Sequence, residues 1–259
     1  MNALAYPSRL MFSLAVLGLA VLGLVYRDFA VIWQPVPAGL PWHEALALLS
    51  AAVMLACALG LLFERTAALG ALALAACLLI SWVLPQAVKE VPAGTGFVGR
   101  WLGFFETLAP VCGCLALLAA RGWPGLQADK LTLAARGVFG LACLVFGYSH
   151  FMYPVFTAAM IPDWIPGRLA LAYLTGAGHV AAGLALLAGV LPRLAASLEA
   201  LMMSGFVLLV HVPAVVIQPA PEWAPTGRIQ WTALFWASTM AGGAWLIARA
   251  LRGPTAARP

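Results

Sequence analysis

Three histidines, His150, His179 and His211, stand inside long apolar stretches of a chain in which only 9% of the 259 residues are charged. Thr175, His179 and Gly183 follow one another at four-residue spacing, so on a helix they share one face. Ser204 and His211 lie seven residues apart and share another. Gly140, Cys143, Gly147 and His150 form a stripe of small residues carrying one imidazole, suited to close packing toward a bundle interior. Counting ~1.5 Å per residue, His150 and His211 fall about two turns below the outer membrane surface and His179 nearer the midplane. The expected site is therefore His150, His179 and His211 with Thr175 and Tyr148 beside them. Ionisable groups inside a bilayer are costly and by default mark function. The structural alternative is interhelical hydrogen bonding, worth ~0.6–2 kcal/mol each. As ligands, three imidazoles suit an N3 metal site with an open position or, in pairs, axial haem ligation. A quinone carbonyl hydrogen-bonded to one imidazole asks least of the geometry. No metal site is assigned.

Four further polar residues are secondary candidates: Asp28, Glu106, Arg228 and Gln230. Adjacent residues diverge on a helix, so Arg27 is expected to snorkel outward while Asp28 points along the Gly18 face. Glu106, about two turns into its helix, is expected either to pair with a basic group across the bundle or to snorkel. Glu199 falls far around its helix from Ser204 and His211 and is left out of the site. No carboxylate is evident that would orient a histidine from behind, and Asp163, the nearest acid, sits in an outer loop. Cys57, Cys77, Cys112, Cys114 and Cys143 all lie inside apolar stretches and read as buried thiols. Gly94–Gly99 spells GxGxxG, but no strand precedes it, so no dinucleotide site follows.

The elements that must position these groups are eight apolar stretches, approximately 10–33, 44–63, 66–88, 101–120, 133–156, 168–188, 194–218 and 230–250. Each approaches the ~20 residues that a bilayer core of ~30 Å requires. None alternates as a barrel strand would. Apolar residues make up 64% of the chain, against about half in a soluble domain, so the surface faces lipid. The predicted fold class is an all-α polytopic integral membrane protein of eight transmembrane helices, in two fused four-helix bundles.

The second four stretches repeat the first. An offset of 128 residues pairs Arg65 with Arg193, Pro85 with Pro213, Arg100 with Arg228 and Arg121 with Arg249. Earlier in each unit the offset is 125 (Pro41 with Pro166, Ser50 with Thr175), and in the first helices 122 (Gly18 with Gly140, Asp28 with His150). The domains are thus 1–122 and 123–259. Both units keep one orientation, as parallel repeats do. Where the second unit carries His150, His179 and His211, the first carries Asp28, Met54 and Val83, so polarity is concentrated in the second. The net charge of +5 is a topology signal and gives no nucleic-acid footprint. Arg9, Arg65, Arg121, Lys130, Arg136, Arg193, Arg249, Arg252 and Arg258 fall at alternate helix ends, which by the positive-inside rule places both termini in the cytoplasm. Ten tryptophans cluster near helix ends and read mostly as an interfacial belt. The Pro-rich loops 162–166 and 221–225 are expected either to lie over the second bundle as lids or simply to pack at the interface.

The stretches His150-Phe151-Met152-Tyr153-Pro154, Met160-Ile161-Pro162-Asp163-Trp164-Ile165-Pro166, Thr175-Gly176-Ala177-Gly178-His179 and His211-Val212-Pro213-Ala214 resemble the DoxX-like family of four-helix membrane proteins. The resemblance covers about residues 130–250 and extends more weakly to the first half through Gly60–Arg65 and Pro85. It implies a multi-pass protein of the inner membrane, an accessory or quinone-interacting subunit of a redox system working with a redox partner protein. More distant relatives, the surfeit-locus proteins, imply the alternative of a non-enzymatic carrier, cargo receptor or assembly factor. Two positions depart from the family: members commonly carry a glutamate where His179 stands and an asparagine where Val215 stands. A function resting on that carboxylate and amide does not transfer.

Overall fold

The computed structural model describes residues 5–90, 101–217 and 219–251. Its secondary structure is all helical, with no strand among the described residues. In order come α1 (Ala5–Tyr26), α2 (His43–Leu62), α3 (Ala67–Leu78), a π turn (Leu79–Val83), α4 (Leu84–Glu90), α5 (Leu102–Arg121), α6 (Ala128–Met152), α7 (Pro154–Met160), α8 (Arg168–Ala188), α9 (Pro192–Phe206), a second π turn (Val207–His211), α10 (Val212–Val216) and α11 (Gly227–Ala250). The GxGxxG stretch lies outside the described residues.

Among the described residues seven helices are long and apolar enough to cross a membrane, with α3–α4 and α9–α10 each running continuously through a π turn. Their outer faces are apolar too. Leu49, Ile80, Leu133, Leu174, Leu201 and Leu208 are each more than half exposed, which is costly in water and favourable in hydrocarbon. The eighth helix, α11, is long enough at 24 residues but more polar, rich in Gly, Thr, Ser and Trp. Its place in the fold explains that composition. It packs on α1, α5 and α9 together, so helices rather than solvent surround it, and its small residues allow backbones to approach.

The two π turns fall at the same 128-residue offset as the sequence repeat. In each, the residue before a proline donates its N–H five residues back, Leu84 to the Leu79 carbonyl and Val212 to the Val207 carbonyl. Pro85 and Pro213 cause this: a proline inside a helix has no N–H and its ring presses on the carbonyl four residues earlier. The carbonyl so released at Ser81 accepts a hydrogen bond from Gln34 Nε2 at 2.9 Å.

Two helix ends differ from the sequence expectation. α1 stops at Tyr26 rather than near Trp33, because Arg27 takes a left-handed φ of 52° and the Asp28 carboxylate accepts the Phe29 N–H at 2.8 Å. α6 stops at Met152 rather than Phe156, because Pro154 starts the short α7 at an angle.

Packing runs around a closed circuit: α1 on α2, α2 on α3, α3 on α5, α5 on α6, α6 on α8, α8 on α9, α9 on α11 and α11 back on α1. The last helices of the two halves, α5 and α11, also meet across the middle. Rather than closing on its own four helices, each half therefore borrows the last helix of the other. Two compartments result, sharing the α5–α11 wall. At that wall a Cβ on Gly113 would lie 2.7 Å from the Gly243 Cα, so the two backbones touch directly. The first compartment is filled. Trp82 stacks on Trp236 with centroids 4.5 Å apart, and only about 20 Å³ remains between α1, α2 and the Trp82 side chain. The second is hollow.

Candidate functional site

The hollow is a cavity of about 580 Å³ bounded by α5, α6, α7, the middle of α8, α9 with its π turn, and α11. Its volume sits within the ~300–1,000 Å³ typical of small-molecule sites. Its walls are aromatic and methionine-rich, with Phe146, Phe206, Trp236, Met203 and Met240 prominent. His150, His179 and His211 all line it, and so does Glu106. At its outer end Met160 and Trp223 also line an adjoining groove of about 940 Å³ between α7 and α10.

His179, on α8, is 3% exposed and forms the floor. Its Nδ1 lies 2.6 Å from Glu199 Oε1 on α9, and the Glu199 side chain is fully buried. The carboxylate accepts the Nδ1 proton, which leaves Nε2 aimed into the cavity, without a hydrogen-bond partner among the described residues. Glu199 thus belongs to the site from which the sequence reading left it out, and it is the orienting carboxylate that was judged absent. The signal was present in its chemistry: a glutamate in the middle of an apolar helix requires a partner.

His150, at the end of α6, packs edge-on against His179 with ring centroids 5.1 Å apart. Its Nδ1 is 3.1 Å from the Ala172 carbonyl and 3.0 Å from Thr175 Oγ1, so α8 fixes the ring from behind and Nε2 again has no partner among the described residues. Gly147 makes this contact close, since a Cβ there would sit 2.7 Å from the Gly176 carbonyl oxygen. Phe206 lies beside both rings, at 6.3 Å from His150 and 5.8 Å from His179.

His211 stands at the end of the second π turn and meets Trp223 edge-on at 5.7 Å. Its Nδ1 is buried without a hydrogen-bond partner among the described residues. It lines the same cavity but is not part of the His150–His179 contact. No three His, Cys, Asp or Glu side chains among the described residues converge as a metal-holding group. The edge-to-face packing of His150 and His179 also does not present two opposed axial ligands to a haem.

On the opposite wall Glu106 accepts a hydrogen bond from Trp33 Nε1 at 3.1 Å; its partner across the bundle is an indole and not a base. Trp33, expected in the interfacial belt, folds inward from the loop after α1, and Trp82, Trp223 and Trp236 likewise face the interior. Trp42, at 81% exposed, and Trp164, at 61%, remain outside. Of the loop 221–225, Trp223 lines the cavity and the adjoining groove.

The remaining candidates lie elsewhere. Tyr148 is exposed on the outside of α6 and does not line the cavity. Asp28 and Arg228 pair with each other at 2.9 Å, 200 residues apart in sequence, and tie the start of α11 to the end of α1. His43 adds a contact to Asp28 at 2.8 Å, and the Arg228 guanidinium lies over Tyr26. Arg27, as expected, reaches outward, to Glu44. Gln230 is buried and donates to the Ala224 carbonyl at 2.9 Å, fixing the loop to the helix. All five cysteines are free and buried.

At the other end of the molecule Glu64 bridges Arg9, at 2.8 Å, and Arg121. Hydrogen bonding to Arg121 and then to Arg9 holds its carboxyl at about 2, below the usual 4.5.

Residues 139–248 match the model of a domain of unknown function, DUF8561. That match takes in all three cavity histidines and Glu199. No curated protein and no solved structure matches the chain.

Proposed function

We propose that this chain is an eight-span, duplicated DoxX-like protein of the inner membrane whose second compartment binds a small hydroxyl- or carbonyl-bearing ring compound of the quinone class. In this role it serves as an accessory or quinone-interacting component beside a membrane redox partner. The α11 helix completes the eighth span, and the matched π turns support duplication, with units at 1–122 and 123–259. Both termini then lie in the cytoplasm, on the side of the basic helix ends.

The observation that carries the reading is the buried Glu199–His179 pair, which turns one imidazole nitrogen into an aromatic-walled cavity beside His150. With Glu199 accepting the Nδ1 proton, neutral His179 offers a lone pair at Nε2 to a quinol hydroxyl. Once protonated, and stabilised by the same carboxylate, it donates to a quinone carbonyl. Trp236, Phe206 and Phe146 supply faces for the ring, and the adjoining groove offers room for an attached chain.

Organic extraction of the detergent-purified protein tests the proposal. Quinone should be recovered in stoichiometric amount from the wild type and lost from His179→Ala. Wild-type protein that carries none, and binds none when it is added, overturns the reading. A second reading, a non-enzymatic carrier or assembly factor, is favoured by one feature: the outer groove is larger than the cavity itself. Retention of lipid in place of quinone in the same extraction would select it.

A further inference from the structure

One carboxylate in the wall of the histidine cavity has no part in the function proposed above, and it comes from the first half of the chain. Glu106, on α5, lines the cavity. α5 packs on α6 and α11, whereas His179 stands on α8, so the hollow separates the carboxylate from that imidazole. Glu106 is held from behind. Gln86 Nε2 donates to the Ile32 and Trp33 carbonyls at 3.2 and 3.1 Å, which fixes the loop after α1. Trp33 Nε1 then donates to Glu106 Oε2 at 3.1 Å. Gly103 admits the Gln86 amide, since a Cβ there would lie 2.8 Å from Gln86 Oε1. Among the described residues Glu106 makes no other hydrogen bond or ion pair, so Oε1 is left for a ligand. Lys89 also lines the cavity and already has a partner.

The repeat sets this arrangement apart. At the offsets of 122 and 128, Trp33, Gln86 and Glu106 correspond to the apolar Val155, Ala214 and Leu234. The imidazoles of the cavity thus come from one half and its carboxylate from the other. They meet because α5 walls the second compartment as well as the first.

An ionised carboxylate accepts hydrogen bonds and donates none. It attracts a hydroxyl and repels a carbonyl oxygen. We propose that Glu106 accepts a hydroxyl at the end of the ring compound remote from His179, so that the cavity selects the dihydroxy, reduced form over the dicarbonyl form. His179 Nε2 accepts one hydroxyl and Glu106 Oε1 the other. This inference rests on the quinone-class reading and names the form that the cavity holds.

The test is anaerobic calorimetric titration of the detergent-purified full chain with trimethylhydroquinone and, separately, with trimethylbenzoquinone. The wild type should bind the hydroquinone about tenfold or more tightly than the quinone, the worth of one hydrogen bond to a charged group. In Glu106→Gln the Trp33 indole still donates to the side-chain oxygen, which turns the amide N–H into the cavity. That variant should lose the preference or reverse it. Glu106→Leu, with the residue that the second half carries at this position, removes the acceptor without adding a donor and should bring the two affinities together. Equal affinities or a quinone preference in the wild type, or an unchanged preference in the variants, overturns the inference and leaves the quinone-class reading standing. Wild-type protein that binds neither compound overturns both.

Discussion

His179 Nδ1 and Glu199 Oε1 lie 2.6 Å apart in the interior of the second compartment, on neighbouring helices α8 and α9. A carboxylate behind an imidazole fixes its tautomer and orientation. Removing the carboxylate leaves the buried imidazole N–H unsatisfied, at a cost of about 1–3 kcal/mol. Glu199→Ala should therefore lower the melting temperature markedly in detergent. Glu199→Gln still accepts the Nδ1 proton but cannot stabilise an imidazolium. It should keep nearly the wild-type melting temperature while weakening quinone-analogue binding about ten- to a hundredfold, the range known for orienting partners of metal-bound histidines. Unchanged binding in Glu199→Gln would detach the carboxylate from the site.

The α5–α11 wall makes a prediction that separates two glycines in one contact. A Cβ on Gly113 would fall 2.7 Å from the Gly243 Cα, whereas a Cβ on Gly243 would meet nothing nearer than Phe12 Cε2 at 3.6 Å. Gly113→Ala should destabilise by about 1–3 kcal/mol, the usual cost of overpacking. Gly243→Ala should be neutral or slightly stabilising, because alanine is the better helix former. Thermal unfolding of the two variants checks this, and equal effects would show that the helices part freely there.

Blocking the cavity tests occupancy without touching any ionisable group. Ala237 lines it from α11, and phenylalanine there would fill space that the ligand needs while adding apolar contacts to Met240, one turn on. Ala237→Phe should abolish the quenching of tryptophan fluorescence by an added quinone analogue and leave thermal stability unreduced. Full quenching in this variant would place the ligand elsewhere.

Much of this architecture was legible in the sequence because bilayer-length apolar runs and a duplicated proline are strong, local signals. The pairing of Pro85 with Pro213 marked the repeat, but the π turn before each proline was not read from it. Helical spacing aligned His150 with Gly140, Cys143 and Gly147, His179 with Thr175 and Gly183, and His211 with Ser204; all three line one cavity, and only His150 and His179 touch. Glu199 was missed for a geometric reason. Its angle was taken from Ser204 and His211 on its own helix, whereas its partner is His179 on the neighbouring helix α8, 20 residues earlier in the sequence. Trp33 and Glu106 were missed as a pair because their contact joins positions 73 residues apart. The borrowing of α5 and α11 between halves could not be read either, because apolar faces state that a helix packs but not on which neighbour.

The ion-pair cluster at the opposite end gives a pH dependence with a definite sign. Glu64 sits outside the spans, half-exposed, with its carboxyl held at about 2 by Arg121 and Arg9. A folded-state value below the unfolded one means that the bridge contributes its full stability above the ordinary value of 4.5. That contribution is lost progressively as the pH falls through 2. Its exposure screens the charges, so the contribution is modest. Wild-type protein should melt above Glu64→Gln at pH 6, and the gap should narrow below pH 4.5 until the two curves meet near pH 2. A gap that persists unchanged down to pH 2 would mean that the carboxylate is not what joins Arg9 to Arg121.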